Sequence, residues 1–244
     1  MAPNKSQIVQ VADEPQVIVK LWEYIEKAAN DAIEESGVFR IGLSGGSVIK
    51  FLATGGRDST TDWSKWKLFF CDERFVEFDD AESTFGQYKK EFIPNTDLKE
   101  SQFVKIDKTL ELKECAKAYE REIYRDFGIQ DLDSKTIPKF DLLLLGVGPD
   151  GHTCSLFPGH PLLKTEDVFI APIADSPKPP PSRVTMTYTL IKHSKACIFP
   201  ISGGGKADIM KQIFVDQKPL PAGLVELVDG KLTWILDEAA AALL

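Results

Sequence analysis

Cysteine is scarce in this sequence, which has four cysteines among its 244 residues, all far apart along the chain. No two of them have the Cys-x-x-Cys spacing of a zinc ribbon or a redox motif. Isolated cysteines of this kind are typical of reduced thiols, so we expect a cytoplasmic protein rather than a disulfide-stabilised secreted one. The four are Cys71, Cys115, Cys154 and Cys197.

Long hydrophobic runs are absent as well. The first ten residues hold no apolar core of signal-peptide length. No run elsewhere approaches the ~18 residues of a membrane-spanning helix. We therefore expect no secretion signal and no membrane partner.

Blocks of basic residues are also missing. The formal net charge is −8, and no cluster of lysine and arginine marks the surface of a nucleic-acid binder. An acidic surface does not exclude an anionic ligand, but the binding site must then concentrate its own positive charge. We expect a monomer with a small-molecule ligand and no nucleic-acid partner.

The residues that are present are those of an ordinary globular protein, with 43% hydrophobic and 27% charged residues. This length suits one large α/β domain, which we predict over residues 1–244. A chain of this size buries enough core to fold without a disulfide or a structural metal.

Helical and strand-like patterns alternate along the chain. Asp13 and Pro15 are typical of a helix start, apolar residues recur at helical spacing up to Ile33, and Gly37 stands where a C-cap belongs. Further strands are predicted over 38–43, 66–71, 140–146, 196–201 and 231–236, and further helices over 47–53, 115–127, 206–214 and 237–244. The alternation predicts an α/β fold with a doubly wound, mainly parallel sheet and helices on both faces. Ligands of such folds bind beyond the carboxyl ends of the strands.

Residues 175–182 form the longest irregular stretch and are rich in proline. Each proline fixes φ and disfavours a helical conformation in the residue before it. We interpret the stretch as a stiff extended loop rather than a domain linker, because the pattern of the same fold continues after it.

The glycine-rich segment 42–47 follows a predicted strand and opens a predicted helix. Its small residues let backbone N–H groups approach an anion, and the helix N-terminus adds partial positive charge. Ser44 and Ser47 supply hydroxyl donors. The segment therefore suits a phosphate group, although a plain glycine-rich turn between strand and helix explains the composition equally well.

The same residues also match Gly-x-Ser-x-Gly, the nucleophile elbow of serine hydrolases, and the order Ser44, Asp150, His152 fits that fold. In a triad the acid must orient the histidine nitrogen that faces away from the serine. Two residues apart on one tight loop, Asp150 and His152 are poorly placed for this. The downstream substitute is His193, which we interpret as a surface residue. We therefore disfavour the serine hydrolase interpretation.

Two further glycine-rich segments match nucleotide-binding motifs only in part. Residues 146–151 read Gly-x-Gly-x-x-Gly, but the next residues, 157–161, break a helix where a dinucleotide fold requires one. Residues 203–206 end in a lysine but lack the Ser or Thr of a P-loop. We expect neither motif to bind a nucleotide, although Lys206 at a helix start still suits one phosphate group.

Two charged segments also follow predicted strands. Asp72-Glu73-Arg74 ends a buried strand, where charges are costly unless they pair with each other or serve a site. His152, after Asp150 and Gly151, is a natural general base near neutral pH. A metal site with His160 is the competing idea, but the spacing matches no zinc pattern.

Together, five segments resemble the 6-phosphogluconolactonases, especially those of animals. The resemblance runs from about Gly42 to the C-terminus, and its longest and most specific part is the segment from Phe140 to Leu163. It implies the doubly wound fold that this family shares with the glucosamine-6-phosphate deaminases. It also implies hydrolysis of 6-phospho-D-glucono-1,5-lactone to 6-phosphogluconate in the oxidative pentose phosphate pathway, without a cofactor or metal. The segments are residues 42–47, 70–76, 140–163, 171–187 and 234–241.

The resemblance also implies roles for individual residues. His152 is expected to be the general base that activates water, with Asp150 as its companion and Arg74 at the substrate. Asp72 is expected to bind a sugar hydroxyl. The residues expected to hold the phosphate are Ser44, Gly45, Gly46, Ser47, Arg183 and Lys206.

One departure from the sister family is informative. The deaminases carry a glutamate in the stretch after Asp-Gly-His, where this chain has Phe157 and Pro158. Loss of that acid favours the lactonase over a sugar-phosphate isomerase or deaminase. A smaller departure is Ser83-Thr84-Phe85, where bacterial lactonases read Ser-Asn-Tyr. A non-catalytic sugar-phosphate sensor is a third alternative, disfavoured by the presence of both Asp150 and His152.

Overall fold

A computed structural model describes residues 6–130, 136–166 and 168–244. Six parallel strands form the main sheet, and three short strands form a separate antiparallel sheet. The strands are β1 (Ser6–Val11), β2 (Phe39–Leu43), β3 (Trp66–Phe70), β4 (Asp72–Arg74), β5 (Leu142–Leu144), β6 (Ile170–Ile173), β7 (Arg183–Met186), β8 (Ala196–Ile201) and β9 (Lys231–Asp237). The helices are α1 (Glu14–Ser36), α2 (Ser47–Gly55), α3 (Thr84–Glu91), α4 (Leu112–Asp126), α5 (Tyr188–Ile191) and α6 (Ala207–Phe214).

The first helix has the caps that the sequence predicts. The Asp13 carboxylate accepts a hydrogen bond from the N–H of Gln16 at 3.0 Å, which satisfies one of the free donors of the first turn. At the other end Gly37 has φ +76° and donates its N–H to the carbonyl of Ile33, which ends the helix in the left-handed conformation that glycine adopts without strain.

The strand order of the main sheet is β1-β9-β8-β5-β2-β3. After β3, the chain changes the side of β2 on which it adds the next strands, although all six strands stay parallel. The chain runs outward from β2 to β3, then crosses back to β5 on the other side of β2 and continues outward through β8 and β9. The loops after β2 and β5 therefore diverge from neighbouring strands and leave a crevice between them. Ligands of open α/β sheets bind in such a crevice.

Each face of the main sheet carries its own hydrophobic core. Leu142 and Leu144 of β5 pack on one face with the apolar sides of α1 and α2, whereas Leu143 and Leu145 pack on the other face with α4 and α6. Because side chains alternate along a strand, a strand covered on both faces is apolar throughout. This explains the unbroken apolar run in β5 and confirms the predicted α/β fold with helices on both faces.

The antiparallel sheet, with the order β4-β7-β6, is not predicted from the sequence. Its strands are only three or four residues long, so no alternation is visible in them. They are also distant in sequence, since β4 pairs with β7 more than a hundred residues later. This sheet holds three of the predicted site residues.

One predicted element is wrong. Residues 237–244 were expected to form a terminal helix, but β9 extends to Asp237 and turns follow it. The Asp237 carboxylate accepts hydrogen bonds from the N–H groups of Gly203 and Ala240, which hold the chain in a turn. The remaining predicted helices and strands are present with bounds shifted by a few residues.

The prediction of one domain over residues 1–244 stays a prediction, and residues 1–5, 131–135 and 167 of that range lie outside the described residues. Within the described ranges, no helix is both long and apolar enough to cross a membrane.

Candidate active site

A cleft of about 190 Å³ opens at the carboxyl ends of β2 and β5. Every site residue predicted from the sequence lines it except Asp150, which contacts the cleft through His152. A larger surface hollow of about 950 Å³ lies along residues 77–91, but none of the predicted site residues lines it. The residues around the cleft are Ser44, Gly45, Gly46, Ser47, Asp72, Arg74, Gly146, Val147, Gly148, His152, Cys154, Arg183 and Lys206.

The loop after β2 leads directly into α2. Gly46 stands at the helix N-cap with φ +70°, a conformation that favours glycine, and Ser47 begins the helix. The Ser44 hydroxyl is buried and makes no hydrogen bond to any described residue. A buried hydroxyl without a partner is costly in a folded protein, and a bound anion would supply the missing partner.

The loop after β5 is shaped by glycines. A methyl group on Gly148 would lie 2.0 Å from the ring of His152 and 2.8 Å from the Asp150 carboxylate, so only glycine fits there. Gly151 has φ +81° and also faces Leu220 closely. The N–H groups of Gly148 and Gly151 donate to the carbonyls of His152 and Gly148. The loop is therefore compact and internally bonded.

His152 and Asp150 are in direct contact, with 2.5 Å between Nδ1 of the ring and Oδ1 of the carboxylate. The expectation that Asp150 and His152 are poorly placed for this contact is wrong, because the turn at Gly151 brings the side chains together. A carboxylate against Nδ1 requires a proton on that nitrogen, which leaves the lone pair of Nε2 free to act as a base.

Burial controls the protonation of this pair. Burial lowers the pKa of His152 below its usual 6.5, Asp150 raises it, and Lys178 and Asp72 add smaller opposing effects. Burial alone would raise the pKa of Asp150, but hydrogen bonds from His152 and Lys178 outweigh it and lower the pKa to about 2. At neutral pH the site therefore holds a carboxylate and a neutral imidazole, which is the base form.

Lys178 is a site residue that the sequence analysis missed. Its Nζ donates to Asp150 Oδ1 at 3.0 Å and lies 3.3 Å from Nδ1 of His152. It belongs to the proline-rich stretch 175–182, which the sequence identified correctly as a loop. The one available signal was a lysine inside a stiff segment, and nothing in the sequence shows that this segment reaches Asp150.

The antiparallel sheet places Asp72, Arg74 and Arg183 beside each other. Arg74 of β4 is the register partner of Arg183 in β7. The guanidinium of Arg183 lies 3.9 Å from Asp72 and donates to the carbonyls of Lys178, Pro179 and Pro180. Burial lowers the pKa of Arg183, as desolvation of a cation must. Arg183 thus links the sheet to the loop that carries Lys178.

The charges of residues 72–74 are each compensated. The Asp72 carboxylate accepts from the hydroxyl of Ser155 at 2.8 Å. The Glu73 carboxylate accepts the backbone N–H groups of residues 74, 84 and 85, which fixes the start of α3 beside the loop after β2. Arg74 forms an ion pair with Glu82 and donates to the Glu82 carbonyl, and it also lines the cleft.

Lys206 reaches the cleft from the start of α6. Its Nζ donates to the carbonyl of Val147 at 2.6 Å and so connects α6 to the loop after β5. Burial lowers the pKa of Lys206, Lys178 lowers it further, and Asp150 raises it. Lys178, Arg183 and Lys206 together concentrate positive charge in a protein whose net charge is −8.

The geometry also bears on the disfavoured motifs. Because the Ser44 hydroxyl bonds to no described residue, His152 does not activate it as a nucleophile. Residues 145–160 contain no helix, so 146–151 is not a dinucleotide fingerprint. Nε2 of His160 lies 3.1 Å from the Asp175 carboxylate, and its Nδ1 accepts a hydrogen bond from the N–H of Leu162. The described residues include no group of three potential metal-ligating side chains.

Phe157, which stands in the stretch where the resemblance implies a glutamate in the sister family, lies beside His152. Its ring lies 4.7 Å from the ring of His152 between centroids, and Arg183 lies 5.6 Å from the Phe157 centroid. The side chain is fully buried. An apolar ring at this position contributes to the desolvation of His152 and offers no second acid for proton transfer.

Comparison with known proteins gives a consistent result. The family pattern described as "Glucosamine-6-phosphate isomerases/6-phosphogluconolactonase" matches residues 12–234. The 6-phosphogluconolactonase of Rattus norvegicus is 43% identical over 252 residues, which cover 100% of this chain and 96% of the rat protein. That of Homo sapiens is 47% identical over 84% of this chain and 81% of its own length.

Solved structures agree with the sequence matches. A crystal structure of 6-phosphogluconolactonase from Thermotoga maritima superposes with a TM-score of 0.80 at 25% identity, covering 96% of this chain and 100% of the bacterial one. The 6-phosphogluconolactonase from Trypanosoma cruzi has a TM-score of 0.83 at 26% identity over 98% and 96% of the two chains.

Proposed function

The chain belongs to the glucosamine-6-phosphate isomerase/6-phosphogluconolactonase family and is an enzyme that hydrolyses 6-phosphogluconolactone, and we propose that it does so with His152 as the general base. The observation that carries the mechanism is the contact of 2.5 Å between His152 Nδ1 and the Asp150 carboxylate. This contact orients a neutral imidazole in a cleft that also gathers three cations.

The reaction starts with a water molecule that adds to the lactone carbonyl carbon at C1. Nε2 of His152 takes a proton from this water as the new C–O bond forms, and the carbonyl electrons move to oxygen. The tetrahedral intermediate then expels the ring oxygen, which receives the proton from His152. The products are a carboxylic acid, which ionises, and a free hydroxyl group at C5. No covalent bond to the enzyme is formed.

Arg74 is the candidate for stabilising the oxyanion. The N–H groups of Gly148 and Gly151 already donate within their own loop, so they are not available to the substrate. Arg74 lines the cleft, and its partner Glu82 is an exposed side chain that it can exchange for a substrate oxygen. Asp72, beside Arg183, is the candidate acceptor for a sugar hydroxyl.

The phosphate group fits at the loop after β2. Ser44 offers a buried hydroxyl without a partner, and the backbone of residues 45–47 lies at the N-terminus of α2. Lys206 and Arg183 supply positive charge from two other elements. This division leaves the phosphate near the helix and the lactone ring near His152.

Phe157 favours the lactonase over the isomerases and deaminases of the same family. Ring opening and isomerisation need an additional acid–base group, and the position next to His152 holds an apolar ring instead. A cytoplasmic location also belongs to this proposal, supported by four buried cysteines that form no disulfide.

The test is a coupled assay with freshly prepared lactone, from which the spontaneous hydrolysis is subtracted. His152→Ala should lower kcat by about 10²–10⁴-fold with a smaller change in KM, because the general base is removed while the phosphate site remains. His193→Ala is the matched control, since His193 bonds to the Thr189 carbonyl and does not line the cleft. Near-normal turnover of His152→Ala would overturn the assignment.

A further inference from the structure

Lys178 makes the Asp150–His152 pair a group of three. Its ammonium donates to Asp150 Oδ1, the same oxygen that contacts Nδ1 of His152. The three charged or polar atoms lie within 3.3 Å of one another. A carboxylate shared in this way cannot rotate without losing both hydrogen bonds, so its orientation toward the imidazole is fixed.

The loop that carries Lys178 is itself rigid. Ser176 bonds to both the N–H and the carbonyl of Lys178 through its hydroxyl, and its own N–H donates to the Pro181 carbonyl. Arg183 donates to three carbonyls of the loop. The backbone of Lys178 is therefore fixed at a position from which its side chain reaches Asp150.

The positive charge of Lys178 opposes the tendency of the Asp150 carboxylate to stabilise the protonated form of His152. A carboxylate in contact with an imidazole favours the imidazolium, which cannot act as a base. The charged groups that face His152 are Asp150 from its own loop, Lys178 from the proline-rich loop and Asp72 from β4. If Lys178 were neutral, the two anions would face His152 with no cation among these three groups, which would favour protonation of the imidazole.

On the basis of the proposed lactonase mechanism, we propose that Lys178 is a positioning residue of this active site. It holds the Asp150 carboxylate against Nδ1 of His152 and, in addition to burial, opposes the protonation of the imidazole that this carboxylate favours. It acts through Asp150 and His152 rather than on the lactone.

The first test is the pH profile of kcat/KM for Lys178→Met, Lys178→Arg and the wild type. The activity of the wild type should fall with decreasing pH at the pKa of His152, below 6.5. In Lys178→Met this acid limb should move to higher pH by about 0.5–1 unit, and the plateau of kcat should fall about 10–100-fold. Lys178→Arg keeps the charge and should leave the limb close to its wild-type position.

The matched control is Lys164→Met, which removes an exposed lysine from the turn at residues 161–164 and should leave both quantities unchanged. An unmoved acid limb in folded Lys178→Met would overturn the proposal. A raised KM with the limb unmoved would overturn it too, because Lys178 would then bind the substrate.

The second test does not depend on activity. The chain has three histidines, so an NMR titration resolves each of them, and the spectrum of His152→Ala assigns the one of interest. His152 should titrate below 6.5 in the wild type and at higher pH in Lys178→Met. A wild-type value above 6.5 would contradict the proposal even for an active lactonase.

If Lys178→Met does not fold, Lys178→Gln replaces it, because glutamine keeps a hydrogen-bond donor and loses only the charge. The His152 titration should still move to higher pH. If the protein fails the lactonase assay but the His152 titration still moves to higher pH in the Lys178 variant, the three-residue group is upheld. Only the proposed reaction is then rejected.

Discussion

The loops after β2 and β5 begin on neighbouring strands, yet their polar groups are engaged in opposite ways. In the loop after β2 the Ser44 hydroxyl has no partner among the described residues, and the backbone leads into a helix N-terminus. In the loop after β5 the His152 and Asp150 side chains and the glycine N–H groups are hydrogen-bonded already. The first loop has binding capacity left for a ligand, whereas the second is fixed before the ligand arrives.

This difference separates two tasks of one active site. An anion-binding loop gains affinity when its donors are free in the empty protein and satisfied in the complex. A catalytic group gains rate when its position does not change during the reaction. Substitutions in the second loop should therefore lower kcat, and substitutions around the first should raise KM.

Gly148→Ala should have the largest effect of the substitutions that test this comparison. The added methyl group would overlap the ring of His152 at 2.0 Å, so the ring must move. We expect kcat to fall about 10²-fold or more, with a smaller change in KM. Steady-state kinetics measure this, and Gly205→Ala is the control because a methyl group there meets no atom within 4 Å. Equal losses of kcat in Gly148→Ala and Gly205→Ala would contradict the fixed catalytic role that we assign to the loop after β5.

Lys206→Ala should have an intermediate effect, and on KM rather than on kcat. Loss of one charged donor to a phosphate group should raise KM by about 10-fold and weaken competition by inorganic phosphate to a similar degree. Lys211→Ala, which removes a partly exposed lysine of α6 that pairs with Asp216 outside the cleft, serves as the control. A large loss of kcat at constant KM would show that Lys206 acts on the chemistry through its bond to Val147.

Ser44→Ala should have the smallest effect. The hydroxyl makes no bond in the empty protein, so its removal should change the free energy of unfolding by less than about 1 kcal/mol and raise KM only a few-fold. Ser155→Ala is the contrasting variant, because its hydroxyl bonds to Asp72. Denaturant unfolding and kinetics measure both. Complete loss of turnover in Ser44→Ala, or labelling of Ser44 by a fluorophosphonate, would restore the serine hydrolase alternative.

The sequence predicts those parts of the molecule that local patterns determine. The apolar periodicity of α1 and the caps at Asp13 and Gly37 are local, and so is the apolar run of β5. The segments 42–47 and 148–152 are recognisable for the same reason, since each active feature lies within a few residues of sequence. The glycine run before a helix start points to Lys206, whereas Arg183 comes only from the family resemblance because periodicity cannot provide its position.

The parts that could not be predicted depend on contacts between distant residues. β4 and β7 are too short to show a pattern and form only because they pair with each other. Lys178 contacts Asp150 across 28 residues of sequence, through a loop whose path is set by Arg183. The predicted helix over 237–244 does not form, because the Asp237 carboxylate binds two N–H groups, one of them from the distant Gly203, and holds a turn instead.

The pairing of β1 has a consequence for how the protein is made. β1 forms near the start of the chain, and its one partner in the sheet is β9, which is formed near the end. On the ribosome the first strand therefore waits for the last before the sheet is complete. Helix α1, which covers the sheet between them, packs on β9 and β8 as well as on β2. Partly synthesised chains thus carry an apolar helix face without its full partner, and exposed apolar surface of this kind favours aggregation.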